Sequence, residues 1–317
     1  MRKWSLLFAV FAVILALAAC SSSKESGAEN TASSSESESA DKMTIKHEYG
    51  KAVVDKNPKK VVVFDFGILD SLDKLGVEVK GVPQANIPSY LKKYAADKYT
   101  NVGSLKEPDF EAIHALDPDV IFISSRQAEL YNQFADIAPT VYVGMDYTNY
   151  MKSFEGNMNL LGKIFGKEDQ VATELKDIQL SVNKVKEKAS SVDKKGLIVW
   201  ANEGKVSAYG PNSRFGLIHD VFGFAAADPS IEVSTHGQSI SFEYIKEKNP
   251  GVLFVIDRNA AVGGEAGAKK VIENQLVKKT KAYKDGKIVY LNPDSWYLSG
   301  GGLKSMKEMA NEVEEAL

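Results

Sequence analysis

Residues 109–126 read DFEAIHALDPDVIFISSR, and this stretch decides the fold because a second copy of it follows later in the chain. Residues 241–258 read SFEYIKEKNPGVLFVIDR and align with the first copy over eighteen positions without a gap. Seven aligned pairs are identical: Phe110/Phe242, Glu111/Glu243, Ile113/Ile245, Pro118/Pro250, Val120/Val252, Phe122/Phe254 and Arg126/Arg258. So many identities at matched positions favour a true duplication over chance similarity between two helix–strand units.

Each copy follows the same physical pattern. A short helix begins after a capping residue, Asp109 or Ser241, and a proline ends it because proline cannot continue a helix. The unbroken apolar run that follows is typical of a parallel strand covered on both faces. Each copy ends on an arginine just past the strand, at the edge of an open α/β sheet where ligands bind. The repeat therefore predicts two similar lobes, each with an arginine at its binding edge.

The rest of the chain extends this prediction to an α/β fold with two Rossmann-like lobes and mainly parallel sheets, joined by one long α-helix. The apolar residues of the segment 167–189 fall on one stripe of such a helix: Val171, Leu175, Ile178, Val182 and Val185. Because this segment lies midway between the two copies, we interpret it as a rigid connection, although an ordinary long helix within a domain has the same spacing. The predicted boundaries are 43–165 for the N-terminal lobe, 166–190 for the linking helix and 191–317 for the C-terminal lobe.

The first 42 residues predict export and anchoring. Residues 1–19 combine a basic start with an apolar run that is too short for a comfortable membrane span, which indicates a cleaved signal peptide. The sequence LAAC at 17–20 resembles a bacterial lipobox, so we expect lipidation of Cys20; an ordinary secretory signal with an incidental cysteine is the alternative. Residues 20–42 are rich in Ser, Glu and Ala and predict a disordered tether. Since Cys20 is the only cysteine, disulfides and cysteine-ligated metals are excluded.

Arginine is rare in this chain. The 39 basic residues include only four arginines: Arg2, which leaves with the signal, and Arg126, Arg214 and Arg258. The planar guanidinium suits partly buried anion recognition better than the lysine ammonium does. A structural salt bridge is the alternative for each arginine, and Asp257 is an obvious partner for Arg258. The positions of all three at strand ends or in a Gly-rich loop favour a ligand-binding role.

Aromatic residues accompany the arginines at the same predicted edge: Trp200, Tyr209, Phe215, Trp296 and Tyr297. A cationic, aromatic cleft suits a polyanionic aromatic ligand, and an anionic iron chelate with catecholate arms fits it better than an amino acid or a sugar. His236 lies in a polar loop before the second copy, and its imidazole and the phenol of Tyr297 could complete an iron(III) shell. A loop histidine and a packed aromatic fit the sequence equally well.

Several function classes find no support in the sequence. The net charge of −3 is near balance, which argues against a nucleic-acid partner. The chain has no Walker A loop, no His-Glu-x-x-His and no Gly-x-Ser-x-Gly, and the Ser-x-x-Lys match at 71–74 lacks the motifs that accompany it in enzymes. We therefore expect a binding protein without a cofactor, and not an enzyme.

Three further stretches, YGPNSRFG at 209–216, THGQSI at 235–240 and WYL at 296–298, carry a family resemblance. With the lipobox, they resemble the siderophore-binding lipoproteins of ABC importers, a family of the class III periplasmic-binding-protein type. The resemblance covers residues 43–317 and is closest to the catecholate-binding subgroup, petrobactin above all. It implies a monomeric receptor, lipid-anchored at the outer face of the cytoplasmic membrane, that delivers a ferric siderophore to a permease for iron uptake. Haem, cobalamin or a ferric hydroxamate is the alternative ligand.

The resemblance also implies roles for individual residues. Arg126, Arg214 and Arg258 would face the anionic ligand. His236 and Tyr297 match a pair that coordinates iron in relatives that bind tetradentate complexes; with a hexadentate chelate they would contact the ligand instead. Acidic residues of the family dock onto permease arginines, and Glu111 and Glu243 match those positions. Glu107 is a rival in the first lobe, and stabilisation of each helix N-terminus is the alternative role for these glutamates.

Overall fold

The computed structural model of the protein describes residues 41–264 and 267–317. The predicted signal peptide, the lipidation site Cys20 and nearly all of the predicted tether lie outside the described residues. The described part begins with an antiparallel hairpin in which Lys42 pairs with Asp55 and His47 with Gly50. Its strands are β1 (Lys42–His47) and β2 (Gly50–Asp55).

The first lobe is built on a five-stranded parallel sheet in the order β5-β4-β3-β6-β7. Its strands are β3 (Val61–Val63), β4 (Gly81–Val82), β5 (Thr100–Asn101), β6 (Val120–Ile123) and β7 (Thr140–Tyr142). Every residue of β3 and β6 is buried, as expected for unbroken apolar runs in a sheet covered on both faces. The helices are α1 (Phe66–Lys74), α2 (Phe110–Leu116) and α3 (Tyr131–Ala135), with 3₁₀ turns at Ser89–Ala95, Ser125–Leu130 and Tyr147–Asn149.

Two consecutive helices lead from the first sheet to the second. The helix α4 (Tyr150–Phe165) ends at Gly166, which takes the left-handed conformation with φ of 60° that favours glycine at this position. The helix α5 (Glu168–Ser191) has 24 residues and is therefore about 36 Å long. The predicted apolar stripe is its buried face: Val171, Ile178, Val182 and Val185 are buried and Leu175 is partly buried.

The second lobe has a mixed five-stranded sheet in the order β10-β9-β8-β11-β12. Its strands are β8 (Gly196–Asn202), β9 (Lys205–Tyr209), β10 (Gln238–Ile240), β11 (Val252–Asp257) and β12 (Ile288–Leu291). The strands β8, β11 and β12 run parallel, whereas β9 is antiparallel to both of its neighbours. The helices are α6 (Leu217–Asp220), α7 (Phe242–Lys248), α8 (Arg258–Ala261), α9 (Ala268–Ile272) and α10 (Lys281–Lys284), with a 3₁₀ turn at Val277–Lys279.

The last helix, α11 (Leu303–Ala316), returns to the first lobe and packs against α1 and α5. The backbone N–H of Leu303 donates to the Ser71 hydroxyl at 3.1 Å, and the N–H groups of Lys304 and Ser305 donate to the buried Asp70 carboxylate at 3.1 and 2.8 Å. A Cβ at Gly67 would lie 2.9 Å from the Gly300 carbonyl oxygen, so glycine is what allows this close approach.

The observed architecture confirms the predicted fold class of two α/β lobes joined by one long helix. The exact residue boundaries of the lobes stay a prediction. Within 41–264 and 267–317, no helix combines the length and the apolar character that crossing a membrane requires.

Candidate functional site

Both lobes contribute to a cleft of about 540 Å³, a volume within the range of small-molecule sites. The first lobe supplies residues that follow its strands, among them Asp65 after β3 and Arg126 after β6. The second lobe supplies Arg214 from the loop after β9 and Tyr297 from the segment after β12. Five residues predicted for the ligand site line this crevice, namely Arg126, Arg214, Phe215, Trp296 and Tyr297; that a ligand binds there stays a prediction.

Two of the three predicted arginines converge in this cleft. The Nη2 atom of Arg126 donates to the backbone carbonyl oxygen of Tyr297 at 3.0 Å, and Nη2 of Arg214 donates to the same oxygen at 2.7 Å. A carbonyl oxygen has two lone pairs and can accept both bonds. One neutral acceptor thus holds guanidinium groups from opposite lobes close together.

Among the described residues, the positive charge of Arg126 and Arg214 has no direct counter-ion. Within the described part of the chain, neither Arg126 nor Arg214 forms a salt bridge with an acidic side chain. Burial, and then the neighbouring charge of Arg214, lower the pKa of Arg126, while Asp65 acts in the opposite direction. A guanidinium still stays protonated at neutral pH, so the cleft presents two positive charges to an anion.

Aromatic rings flank the guanidinium group of Arg214. The guanidinium carbon of Arg214 lies 4.5 Å from the ring centroid of Tyr297 and 5.1 Å from that of Phe215, both within cation–π range. Tyr209 packs edge-on against Phe215 with ring centroids 4.7 Å apart, so it supports the cleft wall from behind. Trp296 also lines the cleft, and its indole N–H donates to Glu312 at 2.5 Å.

His236 lies on an exposed loop beside the cleft. Its neighbours Val233, Ser234 and Thr235 line the cleft, whereas the His236 ring stacks near Trp200 with a centroid distance of 6.4 Å. Trp200 is also 6.4 Å from the Tyr297 ring, so all three rings lie in one aromatic group. Among the residues that the structure describes, no cluster of three or more His, Cys, Asp or Glu could hold a metal. Iron coordination by His236 and Tyr297 stays a prediction.

The loop that carries His236 depends on a glycine. Gly237 has a φ of 72°, and a Cβ there would lie 2.7 Å from the Tyr209 ring and 2.8 Å from the Ala208 carbonyl oxygen. The Tyr209 hydroxyl is also 3.5 Å from the Thr235 carbonyl oxygen, which it can reach as a weak donor. The loop is therefore seated directly on Tyr209, and a side chain at position 237 would displace it.

Arg258 takes a different position from the other two arginines. It is not among the described residues that line the cleft, and its Nη1 atom donates to the Asn202 side-chain oxygen at 3.3 Å. Asp257, the alternative partner, instead accepts the backbone N–H groups of Ala260, Gly267 and Ala268 at 2.9–3.2 Å. A ligand contact of Arg258 stays a prediction.

The glutamates predicted to dock onto a permease are on the surface. Glu111 and Glu243 lie in the first turns of α2 and α7, and both side chains are exposed. Glu107, the rival in the first lobe, is exposed in the loop before α2. In the described ranges none of the three forms a salt bridge. Their docking role stays a prediction.

The sequence reasoning missed several residues that line the cleft: Asp65, Ser124, Tyr147, Tyr150 and Asn212. Asp65 directly follows the apolar run of β3, so the strand-end rule that selected Arg126 could have found it. Tyr147 comes from the 3₁₀ turn between β7 and α4, and Tyr150 is the first residue of α4; no periodic pattern marks either of them.

Comparisons with known proteins show which family the chain resembles in sequence and fold. A family model described as periplasmic binding protein matches residues 61–295. The chain is 50% identical to the petrobactin-binding protein YclQ of Bacillus subtilis over 100% of this chain and 99% of that protein. The crystal structure of YclQ superimposes with a TM-score of 0.85 at 53% identity, covering 87% of this chain and 98% of that one.

Two further relatives are more distant. The crystal structure of the catecholate-siderophore binding protein VctP from Vibrio cholerae has a TM-score of 0.82 at 36% identity, covering 86% of this chain and 99% of that one. The ferric-anguibactin-binding protein FatB of Vibrio anguillarum is 31% identical over 86% of each chain.

Proposed function

Because the chain belongs to the periplasmic binding protein family, we propose that it captures a ferric catecholate siderophore and delivers it to an ABC permease for iron uptake. Petrobactin is the favoured siderophore, since a relative that matches along the whole chain at 50% identity is a petrobactin-binding protein. Membership of a family of substrate-binding proteins confirms the expectation that the chain is not an enzyme.

The observation that carries the proposal is the meeting of Arg126 and Arg214 at the Tyr297 carbonyl oxygen. Each guanidinium has five N–H donors, and the bond to Tyr297 uses only one of them. The remaining donors can bind the anionic oxygens of an iron–catecholate complex through charge-assisted hydrogen bonds, which are about twice as strong as neutral ones. The ligand would supply a direct counter-ion for two guanidinium groups that form no salt bridge among the described residues.

The aromatic walls add affinity for the catechol rings. Tyr297, Phe215 and Trp296 line the cleft beside the guanidinium groups. Flat apolar rings next to fixed cations favour a ligand that is both aromatic and anionic over one that is only anionic. This combination distinguishes a catecholate complex from a ferric hydroxamate, which has no aromatic arms.

We further propose that Arg258 and His236 contact the outer parts of the ligand. Both approach the carboxyl end of β8, Arg258 through Asn202 and His236 through Trp200. His236 and Tyr297 would coordinate iron directly only where a tetradentate siderophore leaves two positions of the metal free. With a hexadentate chelate the same side chains would touch the organic ligand.

The position of the protein in the cell follows from the same proposal. We propose that a lipid at Cys20 and the tether at 20–42 hold a monomeric receptor at the outer face of the cytoplasmic membrane. Glu111 and Glu243 would dock the two lobes onto the permease, which agrees with their exposure at equivalent helix starts.

Fluorescence titration tests the proposal, because Trp200 and Trp296 lie at or beside the cleft. Ferric petrobactin should quench the emission at low concentration, and a ferric hydroxamate, haem and cobalamin should bind more weakly. Arg214→Ala should weaken the binding strongly, whereas Lys205→Ala, at an exposed site on β9, is the matched control. Absence of a response to every ferric catecholate would contradict the proposed function.

A further inference from the structure

The segment that carries Tyr297 is a single π-helical turn, Asp294–Leu298, in which the Ser299 N–H donates to the Asp294 carbonyl oxygen at 2.9 Å. Such turns are rare and frequently occur at functional sites. In a continuing π-helix the Gly302 N–H would reach the Tyr297 carbonyl, but it donates to the Ser305 hydroxyl at 3.0 Å. The Tyr297 carbonyl is thereby left for the two guanidinium groups.

Two residues of the first lobe hold this turn at both ends. The backbone N–H of Ser89 donates to the Asp294 carboxylate at 2.8 Å, and the Ser89 hydroxyl donates to the same oxygen. The Tyr90 hydroxyl donates to the Ser299 hydroxyl at 2.6 Å, and Ser299 in turn donates to the Asp294 carbonyl oxygen at 2.7 Å. These bonds fix the π-helical turn relative to the first lobe, which also carries Arg126.

We propose that Ser89 and Tyr90 are positioning residues for ligand binding: by holding the π-helical turn, they set the place of the Tyr297 carbonyl and so of both guanidinium groups. Neither residue belongs to the described residues that line the cleft, so an effect on affinity would act through the turn. The inference rests on the proposed function, because the binding in question is that of an anionic iron chelate.

The opposite side of the π-helical turn is bonded to α11. An effect on ligand affinity can therefore be distinguished from an effect on folding. Ser295 donates to Glu308 at 2.6 Å and the Trp296 indole donates to Glu312 at 2.5 Å, both on α11. If the Tyr90 hydroxyl is removed, α11 still holds the turn, but the tie to the first lobe is weaker. The affinity for the ligand should therefore change more than the free energy of unfolding does.

The first test compares two tyrosine hydroxyls. Tyr90→Phe removes the bond to Ser299 and a 3.2 Å contact with Asp70, but it keeps the ring over which the Lys304 ammonium lies at 4.3 Å. Tyr244→Phe is the matched control, since that hydroxyl donates to Asp228 at 2.8 Å, and neither residue lines the cleft as described. We expect Tyr90→Phe to raise the Kd for ferric petrobactin roughly fivefold, and Tyr244→Phe to leave it within about twofold.

A double-mutant cycle then distinguishes positioning from a general structural effect. In an Arg126→Ala background, Tyr90→Phe should raise the Kd by a smaller factor, because one of the groups it positions is gone. Its effect on the midpoint of urea unfolding should be the same in both backgrounds. Ser89→Ala offers a milder variant, since the Ser89 N–H still reaches Asp294.

Each outcome decides the inference. The positioning role would be overturned if Tyr90→Phe bound ferric petrobactin as tightly as the wild type does. It would also be overturned if Tyr90→Phe raised the Kd by the same factor in the wild-type and Arg126→Ala backgrounds. Either result would leave the proposed function intact. Failure of the wild type to bind any ferric catecholate would overturn the proposed function and this inference with it. The inference expects that Tyr90→Phe raises the Kd for ferric petrobactin, and that it raises this Kd by a smaller factor in the Arg126→Ala background.

Discussion

The two copies of the repeat have nearly the same backbone. Both helices have seven residues, and each N-cap side chain, Asp109 or Ser241, accepts the N–H of the residue three positions later. Both helices end in a left-handed residue before the proline, with φ of 51° at Asp117 and 43° at Asn249. Each copy then enters a parallel strand, β6 or β11, which is almost entirely buried and is the fourth of five strands in its sheet. The duplication is thus retained in the fold.

The arginines that end the two copies nevertheless have different surroundings. Arg126 reaches across the cleft to the Tyr297 carbonyl oxygen at 3.0 Å, whereas Arg258 donates to Asn202 in its own lobe at 3.3 Å. The difference arises because the π-helical turn follows β12 of the second sheet and faces the first lobe. A repeat predicts equivalent backbones, but the contact of a side chain depends on what the opposite lobe presents to it.

Alanine substitution of the two matched arginines should produce the largest contrast. Arg126→Ala should weaken the binding of ferric petrobactin by at least about thirtyfold, because it removes a desolvated charge that faces the anion. Arg258→Ala should weaken it by less than about fivefold. Calorimetric titration measures both values, and Arg126→Lys should fall between wild type and Arg126→Ala because it keeps the charge without the planar fork. Equal losses for the two alanine variants would mean that the copies are functionally equivalent.

A second prediction compares the wild type with a variant of Asp70, the buried residue of the first lobe that accepts two backbone N–H groups of α11. Burial raises the pKa of Asp70 to about 6, despite the N–H groups of Ser305 and Lys304 that its carboxylate accepts. The folded state thus binds this proton more tightly than the unfolded chain, whose value is 3.8. The contribution of the group to stability is therefore fully present below about pH 4 and is lost as the pH rises through about 6.

Denaturant unfolding between pH 4 and 7 tests this sign. The stability of the wild type relative to Asp70→Asn should fall by about 2–3 kcal/mol over that range, since one pKa unit corresponds to about 1.4 kcal/mol. Asp136→Asn, at an exposed aspartate of the same lobe, serves as the matched control. Parallel pH profiles for the wild type and Asp70→Asn would rule out a role of this carboxyl.

The capping residues of the two copies should have matching, smaller effects. Asp109→Ala and Ser241→Ala should each lower the free energy of unfolding by about 1 kcal/mol, the usual cost of losing an N-cap. Neither change should alter the Kd for the ligand by more than about twofold, because neither capping residue is among the described residues that line the cleft. If Asp109→Ala and Ser241→Ala lowered the free energy of unfolding by very different amounts, the two copies would not be structurally equivalent.

The smallest effects on the isolated protein are expected for the exposed glutamates. Glu111→Ala and Glu243→Ala should leave ligand affinity unchanged and reduce the uptake of iron from ferric petrobactin by cells that depend on this receptor. Glu107→Ala is the matched comparison in the first lobe. If Glu107→Ala lowers uptake and Glu111→Ala does not, docking in that lobe belongs to Glu107.

Patterns of residues that are close in the sequence were sufficient to predict most of the fold. The stripe from Val171 to Val185 and the glycine at 166 locate α5, because helical periodicity and a left-handed C-cap depend on residues close in sequence. The strand-end rule also located Arg126 at the cleft. The contact between Ser89 and Asp294 could not be predicted in this way, because its partners are 205 residues apart and neither lies in a recognisable motif. The same holds for the shared carbonyl of Tyr297, whose position depends on how the two lobes meet.

The position of the iron atom in a crystal of the protein with ferric petrobactin tests the central claim most directly. Anomalous diffraction at the iron edge should show one peak in the cleft, with ligand oxygens within hydrogen-bonding distance of both Arg126 and Arg214. A peak beside Arg258 and Asn202, with Arg126 and Arg214 still bound only to the Tyr297 carbonyl, would contradict the account.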